Sequence, residues 1–307
     1  MKTVVLITNI PTPYRVPLFG VVASALQSQG INFHVVFCQR TYSRRQFELN
    51  PDTFPFSHEF IHGGTRTNES DPEQTTFLYR GLLSCLNRIR PDHIIVSGFS
   101  RASLYTLIWK LTRGTSYTIW SGTIPERGRK SGLIRRLSRK ILIRFADSFI
   151  AYGSLAASYL ESIGAPAANV YIATNTVDTD FFEQQTNRER NASGSSNSQH
   201  DTIRFLFTGY LVERKEPKAI LEAAVILKDR GIDFHITFVG DGPLKQGLMQ
   251  YVSTNHLSGH VTFAGYVQTE LLPAFLAKAD VFLFQTGFDI WGLVLNEAMA
   301  AGLPVIA

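Results

Sequence analysis

Residues 203–243, IRFLFTGYLVERKEPKAILEAAVILKDRGIDFHITFVGDGP, decide the fold. Two short runs rich in Phe, Ile and Val, 203–208 and 234–239, flank an amphipathic stretch at about 215–230. Strand, helix, strand in that order is a parallel βαβ unit, because parallel neighbours need a crossover and a sandwich would show turns instead. The alternation runs on with a helix at 243–254, a strand at 260–264, a helix at 269–278, a strand at 280–284, a helix at 292–301 and a final apolar PVIA. Upstream the same pattern predicts strands at 3–8, 32–38, 93–97, 116–120, 148–152 and 169–173. Helices fill the gaps at about 14–29, 75–90, 100–113, 131–146 and 153–163.

Between the two series, residues 187–201 (NRERNASGSSNSQHD) are polar and without apolar period, which reads as a linker or surface loop. The expected organisation is an α/β chain of two Rossmann-like, doubly wound parallel-sheet domains, 1–176 and 202–307, joined by a linker over 177–201. A strand buried on both faces needs a following helix to cover it, and none follows PVIA. The second domain is therefore expected to be incomplete, with an exposed apolar edge near Val305 and Ile306.

A chain of 307 residues that is 44% hydrophobic, 18% charged and of mean hydropathy +0.00 has material for buried cores and excludes a disordered class. No apolar run is long enough to cross a membrane, and MKTVVLITNIPTPYR reads as a first strand rather than a signal peptide. Cys38 and Cys85 cannot build a disulfide framework or a four-cysteine metal site, so a reducing, cytoplasmic setting is expected. The net charge of +5 divides unevenly: residues 1–180 carry 20 Lys/Arg against 12 Asp/Glu, and residues 181–307 carry 10 against 13. A basic half suggests an anionic partner such as a membrane surface, a phosphorylated acceptor or nucleic acid.

In open parallel sheets, ligands bind beyond the carboxyl ends of the strands. GYLVERKEP places Gly209 and then Arg214 and Lys215 at a strand-to-helix turn, where free N–H groups and the helix dipole favour an anion. A diphosphate suits that turn; surface basic residues at a helix start are the plainer alternative. VGDGP, with Gly240 and Gly242, is by itself a tight turn. In FDIWGLVLNEAMAAGLPVIA, Asp289 lies in a loop after a strand and Glu297 eight residues on, inside an apolar helix beginning near Gly292. A carboxylate on such a helix must find donors, and sugar hydroxyls or an ordinary surface pairing would each serve.

This segment resembles the acid-x7-Glu signature of retaining, GT-B-type glycosyltransferases of family 4, the group 1 family. The likeness continues through GYLVERKEP, VGDGP, VTFAGYV, NTVDTDFF and TNIPTPYRVPLF, covering essentially the whole chain. It implies that Glu297 holds the ribose hydroxyls of the donor nucleotide, that Asp289 contacts hydroxyls of the donor sugar, and that Lys215 neutralises the diphosphate leaving group. Backbone of Trp291, Gly292 and Leu293 would approach sugar and phosphate, and backbone around Gly240 to Gly242 and Gly265, Tyr266 and Val267 would frame the base. The donor would be a UDP- or GDP-sugar, with no further cofactor and no metal. This chain departs from the family in carrying Tyr210 where Arg is usual and Asp289 where Glu is usual; Arg214 is placed to supply the missing charge. WSGTIPERGRK lacks the acceptor-side His common in the family, which leaves Ser121, Thr123 and Glu126 as substitutes. Tyr14 and Arg15, after a Pro-rich loop without the common Gly-Gly, are expected to face the acceptor.

The expected activity is transfer of a sugar from a nucleotide-sugar to a polysaccharide or lipid-linked acceptor. The alternatives are a nucleotide-sugar 2-epimerase on the same plan, or an inactive truncated nucleotide-binding fragment. Residues 127–146 hold eight Lys/Arg and no acid, with Leu133, Ile134, Leu137, Ile141 and Phe145 on one face. That helix is either packed on a core with a solvated basic face or docked on an anionic lipid surface, peripheral at the inner membrane face. No stacking aromatics interleave with its basic run, which argues against nucleic acid. Asp178-Thr179-Asp180 is a D-x-D triplet at the domain junction, where a metal role is disfavoured, and His34 and His93 read as core-edge histidines.

Overall fold

The computed structural model describes residues 1–42, 45–68, 71–124, 132–192, 202–289 and 291–307. The chain divides into two compact units, Met1–Asn175 and Thr176–Ala307. The first contains β1 (Lys2–Thr8), α1 (Arg15–Gln27), β2 (Ile31–Phe37), β3 (Ser57–Phe60), β4 (Gly64–Asn68), β5 (Asp71–Leu78), α2 (Leu82–Ile89), β6 (His93–Ser97), α3 (Arg101–Arg113), β7 (Ser116–Ser121), α4 (Leu133–Phe145), β8 (Ser148–Ala151), α5 (Ser154–Ser162) and β9 (Val170–Ile172). The second contains α6 (Thr179–Ala192), β10 (Ile203–Thr208), α7 (Pro217–Asp229), β11 (Phe234–Val239), α8 (Lys245–Thr254), β12 (Val261–Gly265), α9 (Leu272–Lys278), β13 (Val281–Leu283), α10 (Leu293–Ala300) and β14 (Val305–Ile306).

The first sheet is parallel throughout, in the order β3-β2-β1-β6-β7-β8-β9. Alternation along its strands fills both faces. Val5, Ile7, Val36, Ile94, Val96, Tyr117 and Ile119 belong to one buried cluster, and Leu6, Val35, Phe37 and Trp120 to another. Apolar side chains on both faces are what a doubly wound sheet requires. The second sheet, β12-β11-β10-β13-β14, is also parallel, with Phe207 opposite Phe238 in register and their rings 5.4 Å apart. In each sheet the chain reverses its direction of strand addition once, between β1 and β6 and between β10 and β13. Loops leaving those neighbours diverge and open a crevice.

Four expectations are corrected. Residues 75–78, expected at the start of a helix, close the antiparallel β4–β5 hairpin. The β-favouring TTFL run ends there, and Gly81 at φ +82 starts α2. Residues 57–60, not anticipated as a strand, pair with β2 as the sheet edge. The segment expected as a linker forms α6 over 179–192, part of the second unit and packed on α9 and α10 through its buried Phe182 and Thr186; residues 193–201 lie outside the described ones. The fourth concerns α4. It docks through Leu142 and Ile143 and through Arg139, whose guanidinium lies over Phe99 and Tyr159. Leu133, Ile134, Leu137, Ile141 and Phe145 point away, between 38% and 86% exposed.

The other minor features settle locally. Asp178 accepts from the Phe181 N–H at 3.0 Å and so caps α6. His34 and His93 bond neighbouring strand hydroxyls, Ser57 and Ser116, each at 2.7 Å, and burial lowers both pKa values. Cys38 and Cys85 are free and buried; burial pushes their thiols up to about 11 and about 12. β14 forms the sheet edge beside β13, with Ile306 exposed.

Phe238, fully buried against Phe207 and Phe263, carries much of the second core. Phe238→Ala should cost about 3–5 kcal/mol, read as a lower urea midpoint for the second unit's transition.

Candidate active site

In the second unit, the loops after β10 and β13 leave neighbouring strands on opposite sides of the reversal. The β10 loop ends in a short 3-10 turn, Glu213–Lys215, followed by Glu216 at φ +45 and by Pro217 as the first residue of α7. The β13 loop is tied to it repeatedly. The Gly287 N–H and the Thr286 hydroxyl both donate to the Arg214 carbonyl, at 2.9 and 3.1 Å. Arg214 Nη1 donates to the Phe288 carbonyl at 3.3 Å, and Gln285 donates to Glu216 at 2.9 Å.

Across this seam Lys215 Nζ pairs with Asp289 Oδ2. Lys215 is only 8% exposed, and its ammonium also lies 5.4 Å from the centroid of the Phe284 ring. The structure thus brings together the three residues expected to act in catalysis, and shows a contact the sequence does not announce, a direct pair between two of them. Glu216 and Phe284 are also absent from the expectations. The one advance sign for Glu216 is its place before a proline that opens a helix.

The glycines have local causes. A Cβ on Gly240 would lie 1.9 Å from the Gly209 carbonyl oxygen, and one on Gly242 would lie 2.5 Å from that of Leu211. Backbone bonds from Gly209 N–H to Val239, Leu211 N–H to Asp241 and Gly240 N–H to Gly265, at 2.7 to 2.9 Å, lace the loops after β10, β11 and β12 together. Glycine at 240 and 242 therefore lets two loops touch. Gly292, at φ +68, starts α10, and a Cβ there would meet the Phe284 ring at 2.5 Å. Tyr266 and Val267 follow β12 at the far edge of the sheet, and Leu293 is the half-buried first residue of α10.

Glu297 sits in the second turn of α10, half-buried, and burial pushes its carboxyl up to about 7. Among the described residues no donor reaches that carboxylate. Two further polar atoms are buried and unpartnered in this unit's strand-end region, Thr208 Oγ1 at the end of β10 and Trp291 Nε1 beside Gly292. The indole was not anticipated as a donor, and its place next to Gly292 is the only sign of it.

In the first unit, Arg15 opens α1 and is 6% exposed. Its guanidinium bonds the Tyr152 hydroxyl and lies 4.8 Å from the centroid of the Trp120 ring. Tyr14 lies beside it, 5.6 Å from ring centroid to guanidinium carbon. Ser121 is buried, and its hydroxyl serves the turn at Thr123, accepting from the Thr123 N–H at 3.1 Å and lying 3.0 Å from the Thr123 hydroxyl. That leaves Ser121 little capacity for a ligand. Glu126 lies outside the described residues. Among the described residues, no group of three His, Cys, Asp or Glu side chains is placed to hold a metal ion.

Comparison with known proteins shows the family and the fold. A family profile described as Glycosyltransferase Family 4 matches residues 21–181, and one described as Glycosyl transferases group 1 matches residues 188–307. The GDP-mannose-dependent alpha-(1-6)-phosphatidylinositol monomannoside mannosyltransferase of Mycobacterium tuberculosis is 32% identical over 188 residues, 56% of this chain and 47% of that protein. The D-inositol 3-phosphate glycosyltransferase of Pseudarthrobacter chlorophenolicus is 25% identical over 313 residues, 93% of this chain and 71% of that protein. The chain spans 40% and 36% of the length of two further curated relatives, the putative colanic acid biosynthesis glycosyltransferase WcaL of Salmonella typhimurium and the amylovoran biosynthesis glycosyltransferase AmsK of Erwinia amylovora. Among solved structures, Thermosynechococcus elongatus sucrose-phosphate synthase superposes with a TM-score of 0.73 at 14% identity, covering 100% of this chain and 81% of that one. Anabaena HepE in complex with UDP and glucose gives 0.68 at 14%, covering 99% and 80%. At these identities the superpositions establish the shared GT-B fold of two Rossmann-like domains.

The raised carboxyl of Glu297 has a stability consequence. The folded state holds this proton more tightly than the unfolded chain, so the contribution of Glu297 to stability is greatest below about pH 4.5, falls as pH rises to about 7, and then levels off. Glu297→Gln removes that loss. The ligand-free variant should melt higher than the parent at pH 8, by on the order of 2 kcal/mol, with the difference vanishing near pH 4 in a thermal-melt series.

Proposed function

The chain belongs to glycosyltransferase family 4, and from that premise we propose that it transfers a sugar from a nucleotide-sugar donor to a hydroxyl of a glycan or lipid-linked acceptor, with retention at the anomeric carbon. The observation that carries this is Glu297, a half-buried carboxylate with no donor among the described residues, in the second turn of the helix that follows the β13 loop. A vicinal diol such as ribose supplies the two O–H donors that such a carboxylate lacks. Lys215 and Arg214, on the β10 loop beside it, suit the diphosphate. When the diphosphate takes Lys215, Asp289 is freed to accept from hydroxyls of the donor sugar.

In this mechanism the bond between the anomeric carbon and the diphosphate oxygen breaks. The electron pair leaves with the diphosphate, whose charge Lys215 offsets, while the acceptor oxygen approaches the same face. The acceptor's proton passes to the departing phosphate oxygen. The protein contributes position and leaving-group stabilisation, with no metal in the scheme.

The exposed side of α4 extends the proposal to location. Five apolar side chains stand in solvent there, flanked by the exposed Arg135, Arg136, Lys140 and Arg144. An apolar stripe with basic flanks suits the interface of an anionic bilayer, where each basic residue contributes about 1 kcal/mol. A cytoplasmic protein held peripherally at the inner face of the membrane is the corresponding setting.

Glu297→Ala and Lys215→Ala should each abolish donor turnover with the fold intact, and undiminished rates in either would remove the role given to that residue. Calorimetric titration with UDP and GDP near pH 7 should show release of about half a proton, since bound hydroxyls favour ionised Glu297 and its free carboxyl is half protonated there. Sugar conversion without acceptor would assign epimerase chemistry instead. For α4, Leu137→Asp, or Arg136→Gln with Lys140→Gln, should lower cosedimentation with phosphatidylglycerol vesicles about tenfold, whereas phosphatidylcholine vesicles should bind poorly throughout.

A further inference from the structure

Several cations tied into the described structure meet a carboxylate: Lys110 meets Asp147, Arg204 meets Asp280 and Lys215 meets Asp289. Arg15 does not. It is 6% exposed, and the charged or polar groups acting on it are the hydroxyls of Tyr14 and Tyr152, with no carboxylate among them. Burial opposes its charge, and those hydroxyls more than offset the opposition, so the guanidinium keeps its proton. A buried cation without a counter-ion is costly and calls for an anion.

The surroundings repeat the demand. Arg15 Nε is buried with no hydrogen-bond partner, and so are the indole Nε1 of Trp120, a residue 9% exposed, and the hydroxyl of Thr12. All three belong to one place at the carboxyl end of the first sheet. Thr12 and Arg15 are on the turn from β1 into α1, Trp120 is one residue from the end of β7, and Tyr152 directly follows β8. The Arg15 guanidinium spans these elements, 4.8 Å from the Trp120 ring and 5.7 Å from that of Tyr152. Tyr152 is itself seated by Gly122, where a Cβ would lie 2.2 Å from its ring. The 13-residue helix α1 adds its N-terminal dipole, and no side chain caps that end. These donors are buried, and the stretch beside them from Thr12 to Tyr14 is half-buried.

We propose that Arg15, Trp120 and Thr12 form a recognition site for an oxyanion carried by the acceptor, either a phosphate or a sugar carboxylate. This rests on the glycosyl-transfer reading above and on the expectation that Tyr14 and Arg15 face the acceptor. Arg15 offers a planar fork suited to either group, and the aromatic rings around it hold that fork in place. The consequence is a preference for acidic acceptors over neutral ones of the same sugar.

The test is tryptophan emission of the full chain in a Trp109→Phe, Trp291→Phe background, so that Trp120 is the one emitter left. Sodium phosphate and sodium glucuronate are titrated separately into the millimolar range, with sodium chloride at matched ionic strength as control. A saturable change with phosphate alone identifies a phosphorylated or lipid-phosphate acceptor; a change with glucuronate identifies an acidic glycan. Arg15→Gln should weaken the response at least tenfold, and Arg15→Lys should retain part of it. Should Arg15→Gln fail to fold, Thr12→Ala, which removes one donor from the turn, should weaken the response several-fold. Equal responses to chloride and the oxyanions, an Arg15→Gln protein that responds like its parent, or silence toward both oxyanions would overturn the proposal. UDP titration of the parent chain separates the failures: normal UDP binding with no oxyanion response removes this site alone, while absent UDP binding removes the glycosyl-transfer reading beneath it.

Discussion

A lysine ammonium that is almost wholly withdrawn from water requires a negative partner, and in this protein Asp289 is that partner for Lys215. The requirement shapes much of the second unit. The two residues lie on different loops, and those loops adjoin only because the sheet reverses its order between β10 and β13. The contacts around the pair keep the loops at the needed separation: Gly287 against Arg214, Gln285 on Glu216, and Gly292 under the Phe284 ring. Removing one member of such a pair leaves the other charge unmatched. A ligand that offers its own negative charge to the lysine changes that balance without leaving either group alone.

The sheets were legible because their signal is redundant. Val5 and Ile7 face one side and Leu6 the other, and every central strand repeats that alternation beside an amphipathic helix. What escaped was whatever depends on distant partners. The TTFL run at 75–78 continues into helix-favouring residues, and only its pairing with 64–67 makes it a strand. The polar segment after Thr179 looks like a linker by composition, yet Phe182 and Thr186 suffice to dock it. At the candidate site, the strand-end pattern pointed to the loops that carry Lys215, Asp289 and Glu297 and the family resemblance suggested their roles, whereas the ion pair between two of them joins residues 74 positions apart. Gly240 and Gly242 stood out as glycines, but which backbone they admit depends on the neighbouring loop. For α4 the five apolar residues were correctly placed on one face; its direction was set by Arg139, Leu142 and Ile143 on the other.

The two units treat buried positive charge in opposite ways. Lys215 is matched within the protein, and Arg15 is held by rings and hydroxyls without a carboxylate among the described residues. A matched charge keeps a loop closed until a competitor arrives. An unmatched one supplies attraction from the outset, with the aromatic faces of Trp120 and Tyr152 reducing the cost of waiting. The first strategy suits a leaving group whose charge grows during reaction, and the second suits recognition of a charge already present.

The two cysteines give the first unit a built-in clock. Cys85 donates its proton to Glu59 at 2.8 Å and Cys38 is packed beneath Gly63, so both thiols are held protonated well above neutrality. At pH 7 Cys38 is held as the thiol, and thiolates are the species that alkylating reagents attack. Alkylation in the native state therefore waits on local opening near β2 and α2, and its rate reports how often that side of the sheet breathes.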